Sequence, residues 1–165
     1  MQRSVFSLIL MVTLGVGQTL AGESSAFDGM LTHYESIRQA LLNDNTDGVG
    51  ENARHIRELT QRLESDFDEQ AAGIQPDRAG DLRTLLPTIR ETSAVLTEAE
   101  TIADARSAFG KLSKAMARYR QMTADPHSAV AFCSMAQEVW LQPNGEIGNP
   151  YYGQSMARCG EFVSE

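Results

Sequence analysis

Two short segments near the C-terminus each carry one thiol and one thioether. Cys133 and Met135 are separated by one residue, and Met156 and Cys159 by two. Thiolate and thioether sulfurs are soft donors, which favour soft Cu(I), whereas Mg²⁺ and Ca²⁺ prefer oxygen and zinc rarely takes methionine. If the chain folds Cys133 beside Cys159, all four sulfurs can converge on one monovalent ion. Two thiolates around such an ion leave a net negative charge, so hydrogen-bond donors are expected nearby.

The same two cysteines also suit a disulfide. Two is an even number of cysteines, and a bridge is the default pairing in an exported protein. A Cys133–Cys159 bridge would close a loop of about 27 residues and add roughly 3–4 kcal/mol of stability in the chain-entropy model. Met135 and Met156 would then be ordinary packing residues. Spacing alone leaves the metal site and the disulfide both open.

No catalytic constellation is recognisable elsewhere in the chain. The sequence lacks a Gly-x-Ser-x-Gly elbow, a phosphate-binding loop and a His-Glu-x-x-His motif. We expect His33 to be half-buried and structural, and His127 to be solvated. Glu51, His55 and Glu58 are expected to be paired charges on a solvated helix face. The sequence therefore predicts no enzyme.

The acidic balance of the chain excludes two classes of partner. Of its 165 residues, 22 are Asp or Glu and 14 are Lys or Arg, which gives a formal net charge of −8. A nucleic-acid binder normally shows a basic footprint, and anionic membrane surfaces also attract basic segments. The length suits a single domain with a substantial core.

The first 21 residues have the pattern of a secretory signal peptide. Arg3 precedes an apolar run over residues 5–17, and Thr19 and Ala21 are small residues at positions −3 and −1 of a cleavage site. The alternative is a membrane anchor, but the apolar run is short for a span of roughly 20 residues. We therefore predict an exported, soluble periplasmic product in an oxidising compartment.

Residues 22–125 carry four apolar stripes with helical spacing. The stripes cover residues 27–41, 49–67, 82–96 and 102–122, and turn-forming residues separate the first three. The third stripe keeps its phase across Pro87, which favours one kinked helix, and Thr101 with Asp104 resembles a capping box. Asp125 and Pro126 are expected to end the last helix. Because each apolar face needs a partner, the pattern predicts an all-α fold, a four-helix up-down bundle.

The composition changes after residue 125. Residues 126–165 lose the helical period and gain Gly, Pro, Asn and aromatic residues. Residues 129–132 and 138–141 are candidate short strands, and Pro143-Asn144-Gly145 is a turn signal. The segment is predicted to be an irregular or short-β tail that packs on the bundle in the same domain and carries both cysteines.

This tail resembles an exported bacterial domain family of unassigned function. The family signature reads roughly Tyr-Cys-Pro-Met, Trp-Leu-Gln, Asn-Pro-Tyr-Tyr-Gly and Met-x-x-Cys-Gly. The matching segments here are Phe132-Cys133-Ser134-Met135-Ala136, Trp140-Leu141-Gln142, Ile147-Gly148-Asn149-Pro150-Tyr151-Tyr152-Gly153-Gln154-Ser155-Met156 and Cys159-Gly160. Residues 105–113 are similar to the family's Arg-x-x-Phe-x-x-Leu-Ser helix. Ser134 and Phe132 depart from the signature, but neither departure removes a sulfur.

The resemblance implies a role in handling soft metal ions. Such domains also occur fused to periplasmic adaptor subunits of copper/silver efflux pumps. The implied function is a periplasmic carrier or buffer for Cu(I) or Ag(I), linked to heavy-metal efflux, with Cys133, Met135, Met156 and Cys159 as ligands. The rival hypothesis is a disulfide-stapled structural or interaction module of the cell envelope, which presents Trp140 and the Tyr151-Tyr152 pair to another protein.

Overall fold

The chain is mostly helical, with a small three-stranded sheet near its C-terminus. The structure, a computed structural model, describes residues 24–124 and 126–163. Four long helices dominate the first part: α1 (Ala26–Leu42), α2 (Val49–Ser65), α4 (Ala79–Thr97) and α5 (Ile102–Arg120). A one-turn helix, α3 (Glu69–Ala72), and a 3₁₀ turn (Pro76–Arg78) connect α2 to α4. The predicted signal peptide, residues 1–21, lies outside the described residues, as does Asp125.

Side-chain caps and turn residues set the starts of the long helices. The Ser25 hydroxyl accepts a hydrogen bond from the Asp28 N–H at 3.2 Å, which caps α1. The Thr101 hydroxyl accepts from the Asp104 N–H at 3.1 Å, and the predicted cap of α5 is confirmed. Pro87 lies inside α4, so the prediction of one helix through this proline is also confirmed.

Two predicted helix ends need correction. The second stripe predicts a helix to about Asp68, but α2 ends at Ser65 because Asp66 leaves the helical region, with φ −139° and ψ 78°. Asp68 instead caps α3, where its carboxylate accepts from the Ala71 N–H at 2.7 Å. The last helix is predicted to end at Asp125 and Pro126, but α5 ends earlier, at Arg120. Met122 packs in the core from the following turn.

The apolar stripes meet in one core. The helix α1 packs against α2 and α5, and α4 packs against α2 and α5. The largest fully buried side chains come from these four helices and from the tail: Phe27, Met30, Tyr34, Ile37, Leu41, Ile56, Leu82, Leu86, Ile89, Phe109, Tyr119 and Trp140. Burial of this apolar area from water provides the main driving force for folding.

A three-stranded antiparallel sheet forms the tail. The strands β1 (Ala129–Cys133) and β2 (Glu138–Gln142) form a hairpin, and both were predicted to within one residue. A third strand, β3 (Glu161–Phe162), pairs with the other edge of β1, giving the order β2-β1-β3. The strand β2 contacts α5, so the sheet packs directly on the helices.

Buried polar contacts fix the tail to α1. The Tyr34 hydroxyl accepts from the Leu141 N–H at 3.1 Å and is hydrogen-bonded to the Ser113 hydroxyl at 2.6 Å. Burial raises the pKa of the Tyr34 phenol well above its usual value, so this group stays neutral. Arg38 donates to the Gly148 carbonyl at 2.7 Å. Because these partners are buried, losing them leaves polar groups without water.

A second anchor lies at the edge of the helices. Arg106 donates to the Pro150 carbonyl at 2.8 Å and to the Asp44 carboxylate at 2.6 Å. These bonds connect α5 and the end of α1 to the segment before the cysteine-bearing turn.

Within residues 24–124 and 126–163, no helix is long and apolar enough to cross a membrane.

Candidate functional site

The structure brings the two cysteines together. The Cys133 and Cys159 sulfurs lie 3.0 Å apart. No disulfide bond joins them in this structure. Cys133 is fully buried at the end of β1, whereas Cys159 is partly exposed. One sulfur therefore faces the protein interior and the other is reached from solvent.

The sheet register explains this proximity. Phe132 of β1 lies opposite Glu161 of β3, and the two strands run antiparallel. Continued by one step, that register places Gly160 beside Cys133, and Cys159 is the residue immediately before Gly160 in the chain. Pairing of the two-residue strand β3 with β1 thus brings together two sulfurs whose residues are 26 positions apart in sequence.

Gly160 is required by both its backbone and its surroundings. Its φ is +141°, a region that side-chain-bearing residues rarely adopt. A Cβ at this position would lie 2.6 Å from Cη2 of Trp140 and 3.0 Å from the Phe132 carbonyl oxygen. The indole of Trp140 is itself fixed, because it is fully buried and its Nε1–H donates to Gln142 at 2.8 Å. Gly160, the residue after Cys159, therefore packs against an indole ring that is held in place.

Hydrogen-bond donors surround the Cys133 sulfur, as expected for a site that holds negative charge. The Ala136 N–H donates to it at 3.5 Å, from the turn that joins β1 to β2. Burial alone would raise the pKa of the Cys133 thiol. Hydrogen bonds from the Cys159 thiol, the Ala136 and Met135 N–H groups and the Asn149 amide outweigh that effect and hold its pKa below the usual value for cysteine.

The partner thiol behaves in the opposite way. The hydrogen bond between Cys133 and Cys159, with desolvation and the nearby Cys133 charge, raises the pKa of the Cys159 thiol. The pair therefore ionises first at Cys133 and retains its remaining proton on Cys159. A thiolate is the form that binds metal or attacks a disulfide, so Cys133 is the prepared sulfur of the pair.

Asn149 is a site residue that the sequence did not single out. Its side chain is fully buried and donates to the Cys159 carbonyl at 2.8 Å, while its oxygen accepts from the Tyr151 N–H at 2.8 Å. It also supports the Cys133 thiolate. Asn149 lies in the Asn-Pro-Tyr-Tyr segment on which the family resemblance depends. Its place in that segment is the sequence feature that pointed to a role for Asn149 in the site.

The two methionines lie next to the cysteines in sequence and near the surface. Met135 is in the turn after β1, with 64% of its surface exposed. Met156 ends a 3₁₀ turn, Gly153–Met156, and is half-buried; its carbonyl accepts from the Cys159 N–H at 2.9 Å. Among the described residues, no group of three or more His, Cys, Asp or Glu side chains is able to hold a metal. A soft ion bound here would need the thiols and thioethers.

The tail aromatics are mostly packed rather than presented. Tyr151 donates its hydroxyl hydrogen to the Val139 carbonyl at 2.6 Å, and its ring meets Trp140 edge-on at 6.0 Å. Tyr152 reaches the Met135 carbonyl at 3.2 Å. Since Trp140 is fully buried, the hypothesis that it is presented to a partner protein is wrong.

Two of the three histidines contact polar side chains of the helices, and the third is at the surface. His33 is half-buried and within 2.9 Å of the Asn52 oxygen, as predicted for a structural histidine. The Nδ1 of His55 lies 3.5 Å from the Glu58 carboxylate on a half-exposed face, as predicted for neighbours on one side of the helix. His127 is exposed.

Comparison of the chain with protein-family models, curated proteins and solved structures gave no match. The resemblance of residues 132–160 to the exported domain family therefore stays a prediction.

Proposed function

We propose that this protein is a periplasmic carrier or buffer for Cu(I) or Ag(I), linked to heavy-metal efflux. The proposed ligands are Cys133 and Cys159, with Met135 and Met156 as neutral soft donors. The proposed architecture is an up-down bundle of α1, α2, α4 and α5, on which residues 126–163 pack. Efflux linkage and the periplasmic location rest on the resemblance and on the signal-peptide pattern.

The observation that carries the proposal is the meeting of two cysteine sulfurs 3.0 Å apart, with hydrogen-bond donors that lower the pKa of the Cys133 thiol. The Ala136 N–H and the Asn149 amide offset the negative charge that two thiolates and one monovalent ion would retain. A structural disulfide would need no such donors, because its sulfurs carry no charge.

Exposure suggests how an ion would enter and leave. The buried Cys133 would be the last ligand to release the ion, while Cys159 and the exposed Met135 would be the first to exchange. Transfer would proceed as sulfurs of a partner replace these outer ligands one at a time. Such ligand exchange moves the ion without a change in its oxidation state.

The disulfide-stapled module is a second candidate, favoured by the same short separation of the sulfurs. An oxidised pair would fasten β3 to β1 and leave no thiolate for a metal. Partner binding by this module would not depend on metal. The half-buried Tyr151 and Tyr152 would then be among the aromatic residues at its surface.

A competition titration distinguishes the two. The reduced protein is titrated anaerobically with Cu(I) against a coloured Cu(I) chelator. We expect one equivalent to be bound, with binding lost in C133S/C159S and weakened in M135L or M156L. The matched control is M122L, which changes a buried core methionine away from the tail.

Wild-type affinity in C133S/C159S, with its helical circular dichroism intact, would rule out the thiol site. If the M135L, M156L and M122L variants all bind equally, the methionines are not ligands. Failure of the reduced wild-type protein to compete at all would favour the disulfide module.

A further inference from the structure

Two histidines from neighbouring helices contact each other. His33 of α1 and His55 of α2 stack with ring centroids 4.7 Å apart and an angle of 24° between their planes. The two residues are 22 positions apart in sequence, so only the packing of α1 against α2 brings them together. Imidazole is a good ligand for Zn²⁺, Cu²⁺ and Ni²⁺.

The hydrogen bonds around His33 fix the position of its proton. The Asn52 amide nitrogen donates to the Gly48 carbonyl at 2.8 Å, which orients the amide so that its oxygen faces His33. That oxygen only accepts hydrogen bonds, so the Nδ1 of His33 is the protonated nitrogen. The neutral ring then carries its lone pair on Nε2, which is the arrangement found in metal-ligating histidines.

His55 has a similar arrangement with a carboxylate. Its Nδ1 lies 3.5 Å from a Glu58 oxygen, so a hydrogen on Nδ1 would face negative charge and would leave Nε2 as the atom that can bind. In the stack the two ring planes are nearly parallel, so the His55 ring has to turn out of the stack for both Nε2 atoms to reach one ion, and its side chain is 42% exposed. Because the chain carries a net charge of −8, cations are attracted to it in general.

We infer that His33 and His55 form a second metal site, open to water, that binds a divalent transition ion of the Zn²⁺ or Cu²⁺ class. Asn52 is the positioning residue that holds the His33 tautomer. The site has two protein ligands, since the described residues hold no third His, Cys, Asp or Glu in the group. Water would complete the coordination, so the ion would exchange readily.

The test uses Zn²⁺ and the full-length protein without a histidine tag. Imidazole ¹H–¹⁵N correlation spectra report each of the three histidines separately. We expect Zn²⁺ to shift the Nε2 signals of His33 and His55 together and to leave the His127 signal in place. H33Q should abolish the response of His55, and H55Q that of His33. N52A should weaken binding about 10–100-fold.

H127Q is the matched control, since it removes the histidine outside the pair. Equal shifts of all three histidines at the same Zn²⁺ concentration would overturn the inference, and so would an unchanged His55 response in H33Q. If H33Q does not fold, H55Q at the half-exposed position gives the same test. The Zn²⁺ response of the histidines should persist in C133S/C159S. Absence of a Zn²⁺ response at His33 and His55 would therefore not bear on the thiol proposal, and loss of Cu(I) binding in the cysteine variant would not bear on the histidine site.

Discussion

Replacing Gly160 by alanine should disrupt the turn that places Cys159 beside Cys133. The backbone at Gly160 has φ +141°, so any side chain there costs about 1–3 kcal/mol in strain. The added Cβ would also press on the rigid Trp140 ring at 2.6 Å and on the Phe132 carbonyl at 3.0 Å. Overpacking of this kind costs a further ~1–3 kcal/mol. We therefore expect G160A to destabilise the fold by about 2–6 kcal/mol.

Gly145 provides a control with nearly the same φ. Its φ is +142°, but nothing lies within 4 Å of the position that a Cβ would occupy. G145A should therefore show the strain alone, about 1–3 kcal/mol. The difference between the two variants isolates the contact between Gly160, Trp140 and the Phe132 carbonyl.

The assay is urea unfolding of both reduced variants, followed by circular dichroism, with unfolding free energies compared at equal slope m. A second readout is the rate at which mild oxidant joins Cys133 to Cys159, which should fall in G160A and stay at the wild-type value in G145A. Equal destabilisation of the two variants, or wild-type oxidation kinetics in G160A, would refute the reasoning.

Three further substitutions test the contacts around the site. Y34F leaves the buried Leu141 N–H without its acceptor and should destabilise the protein by about 1–3 kcal/mol in urea unfolding; an unchanged midpoint would contradict this. C159A removes the donor to the Cys133 sulfur, so ultraviolet thiolate absorbance should show the pKa of Cys133 rising, and less so in C159S, whose hydroxyl still donates. N149A should lower Cu(I) affinity about 10–100-fold by chelator competition, whereas unchanged affinity would mean that the amide does not support the ligands.

The sequence was most informative where residues close along the chain determine structure. Apolar stripes predicted the four long helices, and the Thr101 cap and the β1–β2 hairpin depend only on neighbouring residues. The end of α2 was misplaced because the apolar stripe continues to Phe67, whereas Asp66 leaves the helix and Asp68 starts another.

Features that depend on distant pairings were harder to predict. The strand β3 has two residues, which is too short for an alternating pattern, yet it places Cys159 at Cys133. The role of Asn149 depends on its burial and on its hydrogen bond to the Cys159 carbonyl, and the His33–His55 stack depends on how α1 and α2 align. The proximity of the two cysteines was predicted only on the condition that the tail folds back on itself.

Native mass spectrometry of the protein isolated anaerobically from the periplasm of copper-exposed cells tests the central claim most directly. Our account predicts a mass that lacks residues 1–21 and carries one copper ion. That ion should leave on addition of a soft chelator, after which both Cys133 and Cys159 should be alkylated. A metal-free species lighter by two hydrogens, which takes up no copper even after mild reduction, would contradict the account and show that the cysteines are a structural disulfide.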